Sequence, residues 1–237
     1  MSISDNMGIY TAIIIEPRRH PAMKFVLNNF LTNLDRRWNF IVFHGIDNLE
    51  WIHTLVADNF KEDANRISLI NLNINNLTHP QYNKLCVTAD FINQIPTETF
   101  LIFQVDTMIC SEEKDLIYDF INYDYVGAPW DKEHTNNPGH GRVGNGGLSL
   151  RKKSKMLEVI RSVPYQMNHH EDTYYCVVNN KVPLNMPSWE QARLFSIETV
   201  YSPRCFGLHK AWNFQDPVIM EKQFPGYTEL VRLNSKI

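Results

Sequence analysis

Two periodicities alternate along the first 106 residues, and that alternation limits the possible folds more than any single residue does. Apolar, β-branched runs stand at "YTAIIIE" (10 to 16), "NFIVFHG" (39 to 45), "RISLINL" (66 to 72) and "TFLIFQVD" (99 to 106). Between them lie segments of helical period, "PAMKFVLNNFLTNL" (21 to 34), "NLEWIHTLVADNF" (48 to 60) and "QYNKLCVTADFINQI" (81 to 95). Repeated strand and helix predict an α/β fold, a mostly parallel central sheet with helices on both faces. With 237 residues, 43% of them hydrophobic and 12% aromatic, the chain has enough apolar material for a substantial core.

The second half is less regular. A fifth apolar run, "YDYVGAP" (123 to 129), leads into the polar loop "DKEHTNNPGHGRVGNGG" (131 to 147). "LSLRKKSKMLEVIRSV" then reads as a short strand running into a helix that ends before Pro164. A further helix is expected from about Glu171, with Asn168 as its N-cap and Glu171 three residues on. Without an internal repeat or a low-complexity linker, one domain over 1–237 is expected.

Charge and cysteine usage exclude several classes. The net charge is −3 and the basic residues are dispersed, the longest cluster being Arg151-Lys152-Lys153, which disfavours a nucleic-acid scaffold. Cys86, Cys110, Cys176 and Cys205 are far apart and form no C-x-x-C pair of the kind that holds zinc or a redox disulfide. The absence of an apolar run near the length of a membrane span, and of a basic leader followed by a long hydrophobic one, gives the expectation of a soluble cytoplasmic chain.

Ligands of open parallel sheets bind outside the carboxyl ends of the strands. That rule sets Glu16, Pro17 and Arg18 after the first strand beside Asp106 after the fourth. A lone carboxylate at the end of a buried strand needs a cation, a metal or several donors. Asp106 is therefore either a satisfied structural group or a ligand for something charged. Gly139 to Gly144 spells G-x-G-x-x-G, but it follows "TNNP" and leads into a strand, so it is not the dinucleotide fingerprint. Gly144-Asn145-Gly146-Gly147 is either a backbone that a ligand approaches closely or a flexible turn before an edge strand.

The acids Glu171 and Asp172 serve as helix cap and dipole partner, or supply a carboxylate base for a hydroxyl nucleophile. Of the adjacent His169 and His170, at most one can point at a shared metal. His209, in "CFGLHKAW", is either a core histidine or, if it meets Asp106, the second ligand of a divalent cation whose other positions are open to phosphate oxygens. Trp130 is either a stacking surface for a sugar or base or a core plug.

In this order the pieces resemble glycosyltransferases of the GT-A type. More narrowly, "LIFQVDTMI", "YDYVGAPW", "GNGGLSLR", "ED" and "FGLHKAW" resemble a glycosyltransferase-like family, over roughly residues 10 to 213. The resemblance implies a nucleotide-binding half at about 8–110, an acceptor-side half at about 111–215 and a C-terminal tail at 216–237. It aligns the D-x-D motif with Gln104-Val105-Asp106, the glycine loop with Gly144 to Gly147, x-E-D with His170-Glu171-Asp172 and the metal-binding histidine with His209. Gln104 departs from that pattern, since it stands where the first acid belongs and supplies no charge.

The implied activity is sugar transfer from a nucleoside-diphosphate sugar, a UDP-sugar foremost, to a hydroxyl on a glycan, protein or small-molecule acceptor. Asp106 and His209 would bind Mn²⁺ or Mg²⁺, Asp172 would be the general base of an inverting displacement, and Glu171 would support it. Glu16, Arg18, Lys84, Gln104, Val105, Asp106, Trp130, Asn145, Gly146, Gly147 and His209 would contact the donor. Asp131 to Pro138 would form a lid. Two alternatives use the same residues: a nucleotide-sugar-binding module without turnover, favoured by Gln104, and a metal-dependent phosphohydrolase using Asp106, His169, His170 and His209.

Overall fold

The first three apolar runs each become a parallel strand, and the first two helical segments each become a helix: β1 (Tyr10–Ile15), α1 (Met23–Asn33), β2 (Trp38–His44), α2 (Leu49–Asn59) and β3 (Ile67–Asn71). The computed structural model describes residues 8–133, 139 and 141–235. The segment expected as one helix over 81 to 95 is two, α3 (His79–Cys86) and α4 (Ala89–Asn93). Thr88 takes an extended conformation between them, and its hydroxyl donates to the Leu85 carbonyl at 2.9 Å. A local side-chain bond of this kind competes with the helix ladder. α3 also starts earlier than the periodicity suggests, because Thr78 and Gln81 close a capping box ahead of it.

The fourth strand, β4 (Thr99–Phe103), ends three residues before Asp106. Gln104 accepts from both the amide and the hydroxyl of Thr107, at 3.2 and 2.7 Å, and this turn sends the chain into β5 (Thr107–Ile109) of a second sheet. After α5 (Ile117–Phe120) come β6 (Tyr125–Gly127), β7 (Leu148–Lys152) and α6 (Lys153–Ser162). The main sheet has the order β3-β2-β1-β4-β7-β6; β1 to β4 are parallel, and β7 runs antiparallel to β4 with Phe103 opposite Leu148.

α7 is a single turn, Glu171–Thr173, followed by a π-helical turn over Tyr174–Val178. Its N-cap is His170, not the expected Asn168, and Glu171 makes no capping-box contact, because its carboxylate is taken by an arginine described below. α8 (Trp189–Ala192), β8 (Ser196–Ile197) and β9 (Gly207–His209) follow, and the second sheet has the order β5-β9-β8. Residues after 216 form α9 (Pro217–Gln223) and α10 (Tyr227–Asn234), which place Met220, Phe224, Tyr227 and Leu230 in the core.

Strand alternation divides that core between the two faces of the main sheet. Ala12, Ile14, Phe40, Val42, Leu101 and Phe103 pack with α1, α2 and the C-terminal helices. Ile13, Ile15, Ile41, Phe43, Phe100 and Ile102 pack with α4 and α6 through Phe91, Met156 and Val159. Helices on both faces leave the carboxyl ends of β1 and β4 as the open edge of the layer.

Candidate active site

A cavity of about 430 Å³ lies at that edge, between the ends of β1 and β4 and the segment leading into β7. The turn after β4 contributes Gln104, Val105 and Asp106. Because β5 pairs with β9 so that Thr107 faces His209, and the Lys210 amide donates to the Asp106 carbonyl at 2.9 Å, the C-terminal imidazole is carried to the same point. Asp106 Oδ1 lies 3.5 Å from His209 Nε2, while His209 Nδ1 lies 3.2 Å from Glu198 Oε1. Burial opposes charge on His209, but the Asp106 and Glu198 carboxylates outweigh it and hold the imidazole at about 10. For Asp106 the upward push of burial is likewise outweighed by His209, and its carboxyl stays below the ordinary value.

These groups fit a divalent cation. Asp106 Oδ1 is buried and makes no hydrogen bond, with the His209 imidazole 3.5 Å away as its charged neighbour, and a cation would supply the close partner it lacks. One oxygen and one imidazole nitrogen suit Mn²⁺ or Mg²⁺ in company with phosphate oxygens, and two ligands bound side by side at about 2.1 Å sit about 3 Å apart, close to the spacing seen. Among the described residues no group of three or more His, Cys, Asp or Glu surrounds one point, so two protein ligands would leave most of the coordination sphere to substrate and water.

The antiparallel register of β4 and β7 brings Asn145, Gly146 and Gly147 alongside the Gln104–Asp106 turn. Close approach is the reason for the glycines. A Cβ on Gly146 would overlap Glu171 Oε1, and one on Gly147 would overlap the ring of His209. The Gly146 amide donates to Asp172 Oδ2 at 3.1 Å and the Thr173 amide to Asp172 Oδ1 at 2.6 Å. Burial, with the charge of Glu171 behind it, pushes the Asp172 carboxyl up to about 6.

Glu171 has a different environment. Its two oxygens accept from Arg151 Nη1 and Nη2 at 2.7 and 2.9 Å. Arg151 is wholly buried, lies over the rings of Tyr125 and Tyr175, and donates through Nε to Ser149 Oγ at 3.0 Å. In the sequence Arg151 closes the motif "GNGGLSLR" and opens a short basic cluster, and neither feature pairs it with Glu171.

Glu16 and Arg18 line the cavity at the end of β1, paired with each other: Glu16 is buried and accepts from Arg18 Nε and Nη2, both at 2.8 Å. Arg18 thus brings a guanidinium whose charge is already matched. Two expected donor contacts lie outside the cavity lining. Lys84 is exposed, since α3 turns Tyr82 and Asn83 toward the cavity instead, and the Asn83 side-chain oxygen accepts from the Glu171 amide at 3.3 Å. Trp130 is buried; its ring fills the space a Cβ on Gly139 would need, and its carbonyl accepts from Trp189 Nε1 at 2.9 Å. Of the two readings of this residue, the core plug is the one seen.

His170 lines the cavity with its ring 5.0 Å from that of His79, whereas His169 does not reach it. The sequence missed His79, Tyr82, Asn83, Glu198 and Lys210 as lining residues; Lys210 has its backbone in the left-handed region at φ 46°. Of the expected lid, residues 134–138 lie outside the described residues. At its start, Lys132 sits over the Trp189 ring and pairs with Glu190.

The fold is a single-domain, GT-A-like architecture. The chain matches the galactosyltransferase LgtC, solved in complex with donor and acceptor sugar analogues, with a TM-score of 0.57 at 10% identity over 96% of both chains. The glycosyltransferase GlyE of Streptococcus pneumoniae TIGR4 matches at 0.53 and 15% identity over 97% of this chain and 63% of that one, so this chain spans under two thirds of its length. A 4-diphosphocytidyl-2C-methyl-D-erythritol synthase of Anaerococcus prevotii DSM 20548 matches at 0.51 and 12% identity over 76% and 87%. At such identities the shared property is the fold. No curated protein matches the chain in sequence. The chain belongs to the family described as "Protein of unknown function (DUF5672)", whose model matches residues 66–210 and so spans from β3 to the end of β9. No helix among the described residues is long and apolar enough to cross a membrane.

Proposed function

We propose that this protein transfers a sugar from a nucleoside-diphosphate sugar, a UDP-sugar foremost, to a hydroxyl acceptor, using Mn²⁺ or Mg²⁺ and inverting the anomeric centre. The observation that carries the reading is the convergence of Asp106, His209 and Asp172 on one cavity at the carboxyl end of a GT-A-like sheet. Asp106 and His209 would hold the cation, with Glu16, Arg18, Gln104, Val105, Asn145, Gly146 and Gly147 lining the donor side. When bound, the cation supplies positive charge against the oxygens of the departing diphosphate, worth several kcal/mol to the transition state.

Asp172 takes the proton. The acceptor oxygen bonds to the anomeric carbon, the bond from that carbon to the diphosphate oxygen breaks with its electron pair on the diphosphate, and the hydroxyl proton passes to the Asp172 carboxylate. Each Asp172 oxygen accepts one backbone amide, which orients the group and leaves further lone-pair positions on both. General-base assistance of this kind contributes about 10²–10⁴-fold. Glu171 is no competitor for the proton, since both of its oxygens are held by Arg151; its part is to raise Asp172 toward a useful basicity.

Calorimetry with UDP, with and without Mn²⁺, tests the donor site. Tight binding is expected only with the metal in the wild type and to vanish in Asp106→Ala; an unchanged isotherm in that variant removes Asp106 from the site. A binding module without turnover is the reading that the neutral Gln104 favours. It predicts the same calorimetry with neither transfer nor hydrolysis of any UDP-sugar.

A further inference from the structure

The two ring nitrogens of His209 face different acids. Nε2 points toward Asp106 and the cavity, and Nδ1 lies 3.2 Å from Glu198 Oε1. Strand register brings Glu198 there. β8 runs parallel to β9 with Ser196 opposite Gly207 and Ile197 opposite Leu208, and the next step along both strands sets Glu198 beside His209. The approach is anchored on both sides: Ser196 and Ile197 are fully buried, and the Glu198 carbonyl accepts from Gln215 Nε2 at 2.8 Å.

Glu198 has a side chain only 13% exposed, and its ion-pair contact is with His209 Nδ1. The contact is one of charge, since Nδ1 is buried and makes no hydrogen bond, and each group is the partner the other lacks. The ring itself has little freedom, because a Cβ on Gly147 would overlap Nε2, Cδ2 and Cε1. Direct ligation by Glu198 at the same ion is disfavoured, since the two nitrogens of an imidazole point apart, Glu198 stands on the Nδ1 side, and among the described residues no three such groups surround one point.

We infer that Glu198 is a positioning residue for His209: from 3.2 Å its carboxylate keeps the proton of the imidazolium on Nδ1, so that a cation shared with Asp106 displaces the one on Nε2. The inference rests on the metal-using reading of the site. Carboxylate–imidazole–metal arrangements fix the tautomer and raise the basicity of the ligating nitrogen, and losing the outer acid costs 10–100-fold in metal affinity. In this chain the arrangement has a further consequence. Gln104 contributes no charge beside Asp106, and Glu198 returns one negative charge to the site from behind the imidazole.

The test is a Mn²⁺ titration in saturating UDP, read from the electron paramagnetic resonance signal of free aqueous Mn²⁺, on wild type, Glu198→Ala and Glu198→Gln, with the melting temperature of each metal-free protein measured alongside. Glu198→Ala is expected to weaken Mn²⁺ binding by about 10–100-fold with the melting temperature unchanged. Glu198→Gln, whose amide oxygen still accepts from Nδ1, is expected to recover part of that loss. Wild-type Mn²⁺ affinity in Glu198→Ala overturns the positioning role and leaves the metal site standing. A wild type that binds no Mn²⁺ with UDP overturns the metal reading and this inference with it. A weakened Glu198→Ala with a lowered melting temperature and no recovery in Glu198→Gln shows a merely structural residue, and also overturns it.

Discussion

Arg151 and Glu171 form a two-pronged ion pair, Nη1 to Oε2 at 2.7 Å and Nη2 to Oε1 at 2.9 Å, with the guanidinium wholly buried and the carboxylate 4% exposed. This pair separates the roles of two adjacent acids. Both acids line the cavity, but Glu171 is tied to the guanidinium while Asp172, one residue on, has a raised basicity.

Removing one partner of such a pair leaves a buried charge uncompensated. Glu171→Ala is expected to lower the free energy of unfolding by about 3–5 kcal/mol, read by urea denaturation. The double variant Arg151→Met/Glu171→Leu should recover much of it, because apolar side chains of similar size can replace a buried ion pair. A loss below about 1 kcal/mol in the single variant would contradict the buried pairing.

Asp172→Asn is expected to fold and to bind UDP with metal as the wild type does, yet to lose about 10²–10⁴-fold in transfer. It should also be more stable above pH 6, by up to about 3 kcal/mol. The sign follows from the shift. The folded carboxyl titrates at about 6 against an unfolded value near 3.9, so the folded state holds the proton more tightly. The cost of ionising it is absent below about pH 4, grows between 4 and 6, and is complete above, and Asn never incurs it. Near-normal turnover in this variant would remove Asp172 from the mechanism.

The same titration shapes the rate. kcat/KM for transfer is expected to rise through about pH 6, as Asp172 loses its proton, and then to level off. In Glu171→Gln the rising limb should move to lower pH, since the neighbouring negative charge that raises Asp172 is gone. A profile flat from pH 5 to 8 would argue against a base with this basicity.

Gly147→Ala sets a methyl group where the His209 ring lies. Displacing that ring should weaken metal-dependent UDP binding by about 10-fold or more, as for other disturbances of a metal ligand's orientation. Calorimetry in the presence of Mn²⁺ reads it, and an unaltered affinity would show that the ring position is unimportant for binding.

Trp130→Ala separates the two uses of a tryptophan. As a buried plug its truncation should cost about 3–5 kcal/mol of stability and leave the KM for donor within about twofold at a temperature where the variant is folded. A large rise in KM without destabilisation would instead indicate stacking on substrate.

The strands and helices of the first hundred residues were legible because each is encoded by neighbours in the chain: an apolar run specifies β1, and a period near 3.6 specifies α1. Where a local side chain competed with that period, as Thr88 does between α3 and α4, periodicity alone joined two helices into one. Asp106, Asp172, His209 and the glycine loop were legible as residues too, through the resemblance of their motifs in order. Their convergence was expected from that resemblance alone and from no local pattern, for Asp106 and His209 stand more than a hundred positions apart and meet through the pairing of β5 with β9.

By itself, then, the sequence determined the layered α/β architecture and the motifs from which a site could be assembled. Tertiary structure alone decided which side chains face one another. It buried Arg151 against Glu171, turned Lys84 outward, closed Trp130 into the core and set Glu198 behind His209. The reason is physical: periodicity is a property of contiguous residues, whereas a carboxylate's partner, burial and basicity are set by strand register and packing between segments distant in the chain.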